Sequence, residues 1–209
     1  MCSQSSLLGP KLMSIRERQA TMGEVLLTGI PEGTQAGAIM ADPGIAFRAY
    51  SAKGEGRSPQ RHYQCTPFER LAALPVASIA AEDCFLFLWI PLRSVFLVEP
   101  LMRAWGFKFS GTAFVWAKQN KTGVGWFMST GYVTRKNAEV CWLGRCGSPQ
   151  RKSKAVRELI VAPLREHSRK PDEVYHRIEA LCDGLMWNCS RASNGLAGPA
   201  LATSRTNFW

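Results

Sequence analysis

The chain has 209 residues, 46% of them apolar, which suits one globular domain with a full core and is too little for two comfortable ones. Charged residues at 20% and aromatics at 10%, with seven tryptophans, exclude wholesale disorder. The formal net charge of +10 favours an anionic partner, nucleic acid ahead of a membrane surface.

Residues 1–30 are weakly patterned and predict a loosely ordered leader. Ala36–Asp42, A-G-A-I-M-A-D, is a short apolar run that stops at an acid and Pro43, the pattern of a buried parallel strand ending in a loop. Arg48–Gln64 is rich in Gly, Ser and charge and predicts a surface loop. Thr66 and Pro67 then open a helix through F-E-R-L-A-A-L. Cys84–Ile90 is the strongest strand. Ser94–Trp105 has helical spacing that Pro100 must kink or split, with Gly106 as its C-cap. Phe107–Ala117 alternates as a strand and is followed by a Gly-rich loop over Lys118–Lys136. Glu139–Leu143 and Glu158–Ala162 are further short strands. Pro171 opens a helix with acids in its first turn and Val174, Ile178 and Leu181 on one face. Strands alternating with helices predict an α/β domain with a mostly parallel sheet flanked by helices. We divide the chain into the leader, a domain over 31–183, and a tail over 184–209 that has no period of 2 or 3.6 and no acidic residue.

The seven cysteines form no C-x-x-C pair, and with three histidines neither a disulfide framework nor a metal site is expected. The longest apolar run, from Cys84, is about half of a membrane span. No signal-peptide core is visible, so a soluble chain in the reducing cytoplasm is expected.

In an open parallel sheet ligands bind beyond the carboxyl ends of the strands, which places Asp42 where a functional acid would sit, or where a loop needs a turn former. Lys170 precedes the helix that starts at Pro171; the helix dipole repels a cation there, so an acid or an anionic ligand should lie close, unless the lysine is solvated. His167 reads as a surface histidine. Ser148–Lys170 carries seven basic residues against two acids. Arg151, Lys152 and Lys154 in that stretch suit phosphate contact, the alternative being an unengaged solvated loop. Trp126, Phe127 and Tyr132 offer a stacking surface for a base, or plug the core.

Six strings together resemble the MT-A type adenine N-6 methyltransferases: A-I-M-A-D-P at 38–43, Y-S-A-K-G-E-G-R-S-P-Q-R-H-Y from Tyr50 to Tyr63, F-L-F-L-W at 85–89, A-W-G-F at 104–107, N-A-E-V-C-W-L-G at 137–144, and the long segment 156–181 that contains R-K-P-D-E-V-Y. The resemblance covers roughly residues 34–183. It implies a Rossmann-like fold, S-adenosylmethionine as cofactor, and methyl transfer to adenine in nucleic acid, DNA ahead of RNA. A small bacterial or phage protein, in the cytoplasm of the bacterium or infected host and working as a homo- or heterodimer, fits that branch. Carried over by position, the resemblance implies that Asp42, Pro43 and Glu139 are catalytic, that Tyr63 binds substrate and that Lys170 and Asp42 bind the cofactor; Phe47, as a substitute aromatic, and the basic Arg151, Lys152 and Lys154 are the further expected substrate contacts. No metal is implied.

The chain departs from the family pattern twice. It has D-P-G-I at Asp42–Ile45 where the family has D-P-P-W, which removes the stacking tryptophan and leaves Phe47 as the nearest aromatic. The tail replaces the family's E-L-F-x-R strand and its following loop. Reading the last base of each codon with the first two of the next forces Glu from Trp187–Asn188 and Leu from Asn188–Cys189. Suitable synonymous codons continue this as E-L-F-S-R-V-K-R-P-G-W-T-C-L-G-N-E-P-D-K-F, so the tail reads as a frameshifted cofactor strand and loop. Two readings follow: an adenine methyltransferase of impaired activity, or a catalytically inactive homologue that binds nucleic acid.

Overall fold

Period-2 alternation sets the architecture. In the first strand Ile39 and Ala41 face one way and Ala38 and Met40 the other, and all four are buried. Leu86 and Leu88 alternate with Phe87 and Trp89 in the same manner, so the middle of the sheet carries a core on each face. The structure, a computed structural model, describes residues 33, 35–45, 67–131, 133–166, 169–184 and 186–190.

The elements in chain order are β1 (Ala36–Asp42), α1 (Phe68–Ala72), a 3-10 turn (Val76–Ile79), β2 (Ala80–Trp89), a second 3-10 turn (Leu92–Leu97), α2 (Val98–Ala104), β3 (Lys108–Gln119), β4 (Ala138–Cys146), β5 (Leu159–Pro163), α3 (Asp172–Leu181) and β6 (Met186–Ser190). They build one six-stranded sheet in the order β5-β3-β4-β2-β1-β6. β1 pairs in parallel with β2 and β6, and β3 with β5, while β4 runs antiparallel to both of its neighbours, β2 and β3. Five strands therefore share one direction and β4 opposes them. The α/β class and the mostly parallel sheet hold, with this one reversal.

α1 and α2 cover one face, where Leu71, Val98, Leu101 and Met102 pack on Ile39, Leu86 and Leu88. α3 covers the other, laying Val174 and Ile178 against Met40, Phe87 and Phe114. The alternation left three details open. β2 begins at Ala80, which pairs with Ala36 of β1 ahead of a register shift that takes in the polar Glu82 and Asp83. Pro100 causes no kink: it is the third residue of α2, in the first turn, where a missing N–H costs nothing, and the break in the helical stretch lies before it. Gly106 does close that segment, with φ 82°.

Met186–Ser190, part of the aperiodic stretch, forms β6 beside β1, with Asn188 opposite Met40 and Ser190 opposite Asp42. Gly37 makes room for the turn that leads into β6: a Cβ there would lie 2.6 Å from the carbonyl oxygen of Asp183. Among the described residues no helix is long and apolar enough to cross a membrane.

Candidate active site

The strand order reverses at β1. β2 lies on one side of it and β6 on the other, and α1 and α3, which lead into them, cover opposite faces. The crevice beyond the carboxyl ends of β1 and β6 is thus the switch point at which sheets of this kind bind ligands. Asp42 is the last residue of β1 and lies at that crevice.

Four charged side chains cross this end of the sheet in strand order. Lys118 from β3 donates to Oε1 of Glu139 from β4 at 2.5 Å. Lys170, which follows β5 and precedes α3, donates to Oε2 of Glu139 at 3.1 Å and lies 2.8 Å from Oδ2 of Asp42. Between β4 and β1 runs β2, and its last residue, Trp89, turns its ring toward Lys170 with the ammonium 5.0 Å from the ring centre. Trp116, two residues before Lys118 on the same side of β3, meets the Lys118 ammonium in the same way at 4.8 Å. The result is a row of alternating sign, Lys118, Glu139, Lys170, Asp42, with two tryptophan rings beneath its cations. It sums to zero charge.

Burial gives the row its electrostatics. Lys170 is buried, a placement a lysine sustains only with partners. Burial opposes its charge, Asp42 and Glu139 outweigh that, and the ammonium is held above its ordinary range. Burial likewise works to raise Glu139, yet Lys170 and Lys118 outweigh it and bring the carboxyl down to about 2. Asp42 goes the other way: burial pushes it up, and Lys170 only partly offsets the rise. The two acids differ because Glu139 has two ammonium neighbours and Asp42 has one.

The structure therefore brings together Asp42, Glu139 and Lys170, with Pro43 directly after β1. It does not bring Arg151, Lys152 or Lys154 to them. Because β4 runs against the other strands, it starts at the site with Glu139 close to its first residue and ends on the opposite side of the sheet at Cys146. The seven steps between the two, at ~3.3 Å each, separate them by roughly 23 Å. The basic loop that follows Cys146 stays at that far end. There Lys152 donates its N–H to the Leu181 carbonyl at 2.9 Å, and its ammonium lies 3.4 Å from Asp183. Tyr63, Phe47, Tyr132 and His167 lie outside the described residues.

Sequence reasoning missed Lys118, Trp89 and Trp116. The signal for the first was present: W-A-K puts a cation two residues after an aromatic at a strand end, on one face of the sheet. Ile45, where the family pattern has its tryptophan, is buried in the core on the α1 and α2 face. Asn188 of β6 donates to the Tyr175 hydroxyl of α3 at 3.5 Å, a long contact at the rim of the crevice.

A sequence model of the MT-A70 family matches residues 37–189. The chain belongs to the MT-A70 family. It is 33% identical over 113 residues to the human N(6)-adenosine-methyltransferase catalytic subunit METTL3, a match covering 51% of this chain and 18% of that protein. It is 31% identical over 119 residues to an MT-A70-like N(6)-adenosine-methyltransferase of Arabidopsis thaliana, covering 54% of this chain and 16% of the relative. With the type II methyltransferase M.MunI of a Mycoplasma species it shares 31% identity over 126 residues, 59% of this chain and 51% of that one. The match thus spans less than a fifth of the first two relatives and about half of the third. All six matched strings fall within or across the family match, which extends through α3 into β6.

Proposed function

We propose that this chain transfers a methyl group from S-adenosylmethionine to the N-6 amine of adenine in nucleic acid. The observation that carries the reading is Asp42, a carboxylate at the β1/β6 switch point, held at one end of a charge row that also contains Glu139 and Lys170. Of the three relatives described above, the Mycoplasma type II methyltransferase is the one covered to the largest share, 51%, and on that ground we place DNA ahead of RNA.

S-adenosylmethionine is a cation with a carboxylate and ribose hydroxyls. The described residues fit such a group: Asp42 offers a carboxylate to a positive centre at the crevice, and Lys170 offers an ammonium to an anionic or hydroxyl group beside it. When bound, it supplies an electrophilic methyl group on a positively charged sulfur. Everything else falls to the chain. An exocyclic adenine amine is a poor nucleophile because its lone pair is delocalised into the ring, so the gain comes from positioning and electrostatics. Asp42 commits Oδ2 to Lys170, which leaves Oδ1 to accept from the amine and aim its lone pair. After transfer the amine carries one proton too many. Asp42, whose carboxyl is raised, is the better acceptor for it; Glu139, held at about 2, stays a carboxylate and fixes Lys170 instead. In a duplex the adenine must first leave the stack.

A second reading has its own observation. Ile45 is buried in the core, so the stacking role of the family's tryptophan is absent from that position. A homologue that binds nucleic acid without turning over accounts for this. The frameshift reading of the tail bears on the same choice, since residues beyond Ser190 would then lack the family's cofactor loop. Codons of the gene incompatible with the shifted peptide would end that idea.

The deciding experiment is calorimetric titration of S-adenosylmethionine into the folded chain, followed by mass spectrometry of adenine in a nucleic acid incubated with both. Micromolar binding with N-6-methyladenine formed supports the enzyme. Strand binding with no cofactor heat and no methyl transfer supports the inactive homologue.

A further inference from the structure

We propose that the loop joining β3 to β4 is a platform for a single nucleic-acid strand, on which Trp126 stacks against a base while Lys121, Arg135 and Lys136 meet phosphates. The proposal deepens the methyl-transfer reading and rests on it for the strand's destination. Its starting point is the sheet topology. The cations that sequence suggested for substrate contact, Arg151, Lys152 and Lys154, sit at the far end of β4, so a strand whose adenine reaches Asp42 needs another set.

The loop between β3 and β4 is in the right place. β3 ends and β4 begins at the site end of the sheet, and Lys118 and Glu139 stand at the loop's two roots. The loop is also built, not loose. Gln119 forms a β-bridge with Trp126, the Phe127 N–H donates to the Lys118 carbonyl at 2.9 Å, and the Asn120 side chain donates to the Val124 carbonyl at 3.0 Å. These bonds fix the backbone of Trp126 one residue from the charge row, while its side chain stays 58% exposed. A tryptophan held in place and left in water is a preorganised face whose ordering cost is already met before a ligand arrives.

Charge decides which ligand. From Asn120 to Asn137 the sequence holds three cations, Lys121, Arg135 and Lys136, and no acid. All three are exposed and none forms an ion pair among the described residues. Arg165 and Arg169, after β5, are by contrast neutralised by Glu166 and Asp172. A fixed aromatic face on a loop that carries three cations outside any ion pair matches how single strands are bound without sequence preference: stacking for the base and cations along the backbone.

The test uses a fluorescein-labelled, adenine-containing single strand, its binding to the full chain followed by anisotropy across a salt series. Trp126→Ala weakens binding about tenfold, the loss of one stacked base. Trp126→Phe retains most of the affinity. Replacing Lys121, Arg135 and Lys136 together by glutamine lowers the slope of log affinity against log salt by roughly 2, at ~0.7 per lost single-strand phosphate contact. Replacing Arg151 and Lys154 by glutamine leaves that slope unchanged. Wild-type affinity in both the Trp126→Ala and the triple variant overturns the proposal, as does a slope carried by Arg151 and Lys154. So does sedimentation showing that Trp126→Ala splits a wild-type dimer with strand affinity intact, because the loop is then a protein interface. A chain that binds the strand through Trp126 yet methylates nothing sinks the methyl-transfer reading and leaves the platform standing.

Discussion

The ammonium of Lys170 lies 2.8 Å from Asp42 and 3.1 Å from Glu139, so one lysine joins two acids from strands that are not neighbours in the sheet. Removing it leaves Asp42 without its ion-pair partner and Glu139 with Lys118 alone. Lys170→Met is therefore expected to lower stability by about 3 kcal/mol, the usual cost of breaking a buried pair, and to weaken cofactor binding without abolishing it. Urea denaturation and calorimetry check the two effects separately.

Acid affects the two carboxyls differently. Glu139 is depressed in the folded chain, so its stabilisation is present above the ordinary carboxylate range and is lost as pH falls to about 2. The difference in urea midpoint between wild type and Glu139→Gln should shrink between about pH 5 and about pH 2.

Asp42 is raised, so its ability to accept from the amine is lost at a higher pH than an ordinary aspartate would allow. The acid limb of methyl transfer should lie above the ordinary aspartate range. Weakening the Lys170 charge that lowers Asp42 should move that limb further up, which a pH–rate profile of Lys170→Gln at saturating cofactor would show. A limb that moves down would contradict the assignment.

Lys118 makes its contact with Glu139 and not with Asp42, and acts as a positioning residue. Lys118→Met removes a hydrogen bond between charged groups, worth roughly 2 kcal/mol, and should cut kcat about tenfold or more with a smaller effect on KM. Lys118→Arg should restore part of it.

Putting the family's tryptophan back does not repair the motif. Ile45 is only 4% exposed and sits among Leu86, Leu88 and Leu101, so Ile45→Trp overpacks that core and should cost about 1–3 kcal/mol without raising turnover. A thermal melt and an activity assay together check this.

Much of this architecture was legible in the sequence, because β1, β2, β3 and α3 each bury residues at their own period. Asp42 was legible because it ends an apolar run at a proline, and Lys170 because a cation before a helix start calls for an acid. What was hidden was direction. Nothing in the pattern of Glu139–Leu143 says that β4 runs against its neighbours, and that single fact carries Arg151, Lys152 and Lys154 away from the site. β6 was hidden for a different reason: M-W-N-C-S has no alternation to read, and the close approach that Gly37 permits is a property of the folded backbone.

The reversal of β4 has a further consequence. A hairpin is anchored at both roots by the ladder between β3 and β4, where Trp116 is paired with Glu139. Residues can be added to or removed from the connection beyond those roots without altering the spacing of Lys118 and Glu139. The rim that meets the substrate and the charge row beneath it are therefore separately variable parts, and a new target can be acquired at the rim while the chemistry below keeps its geometry.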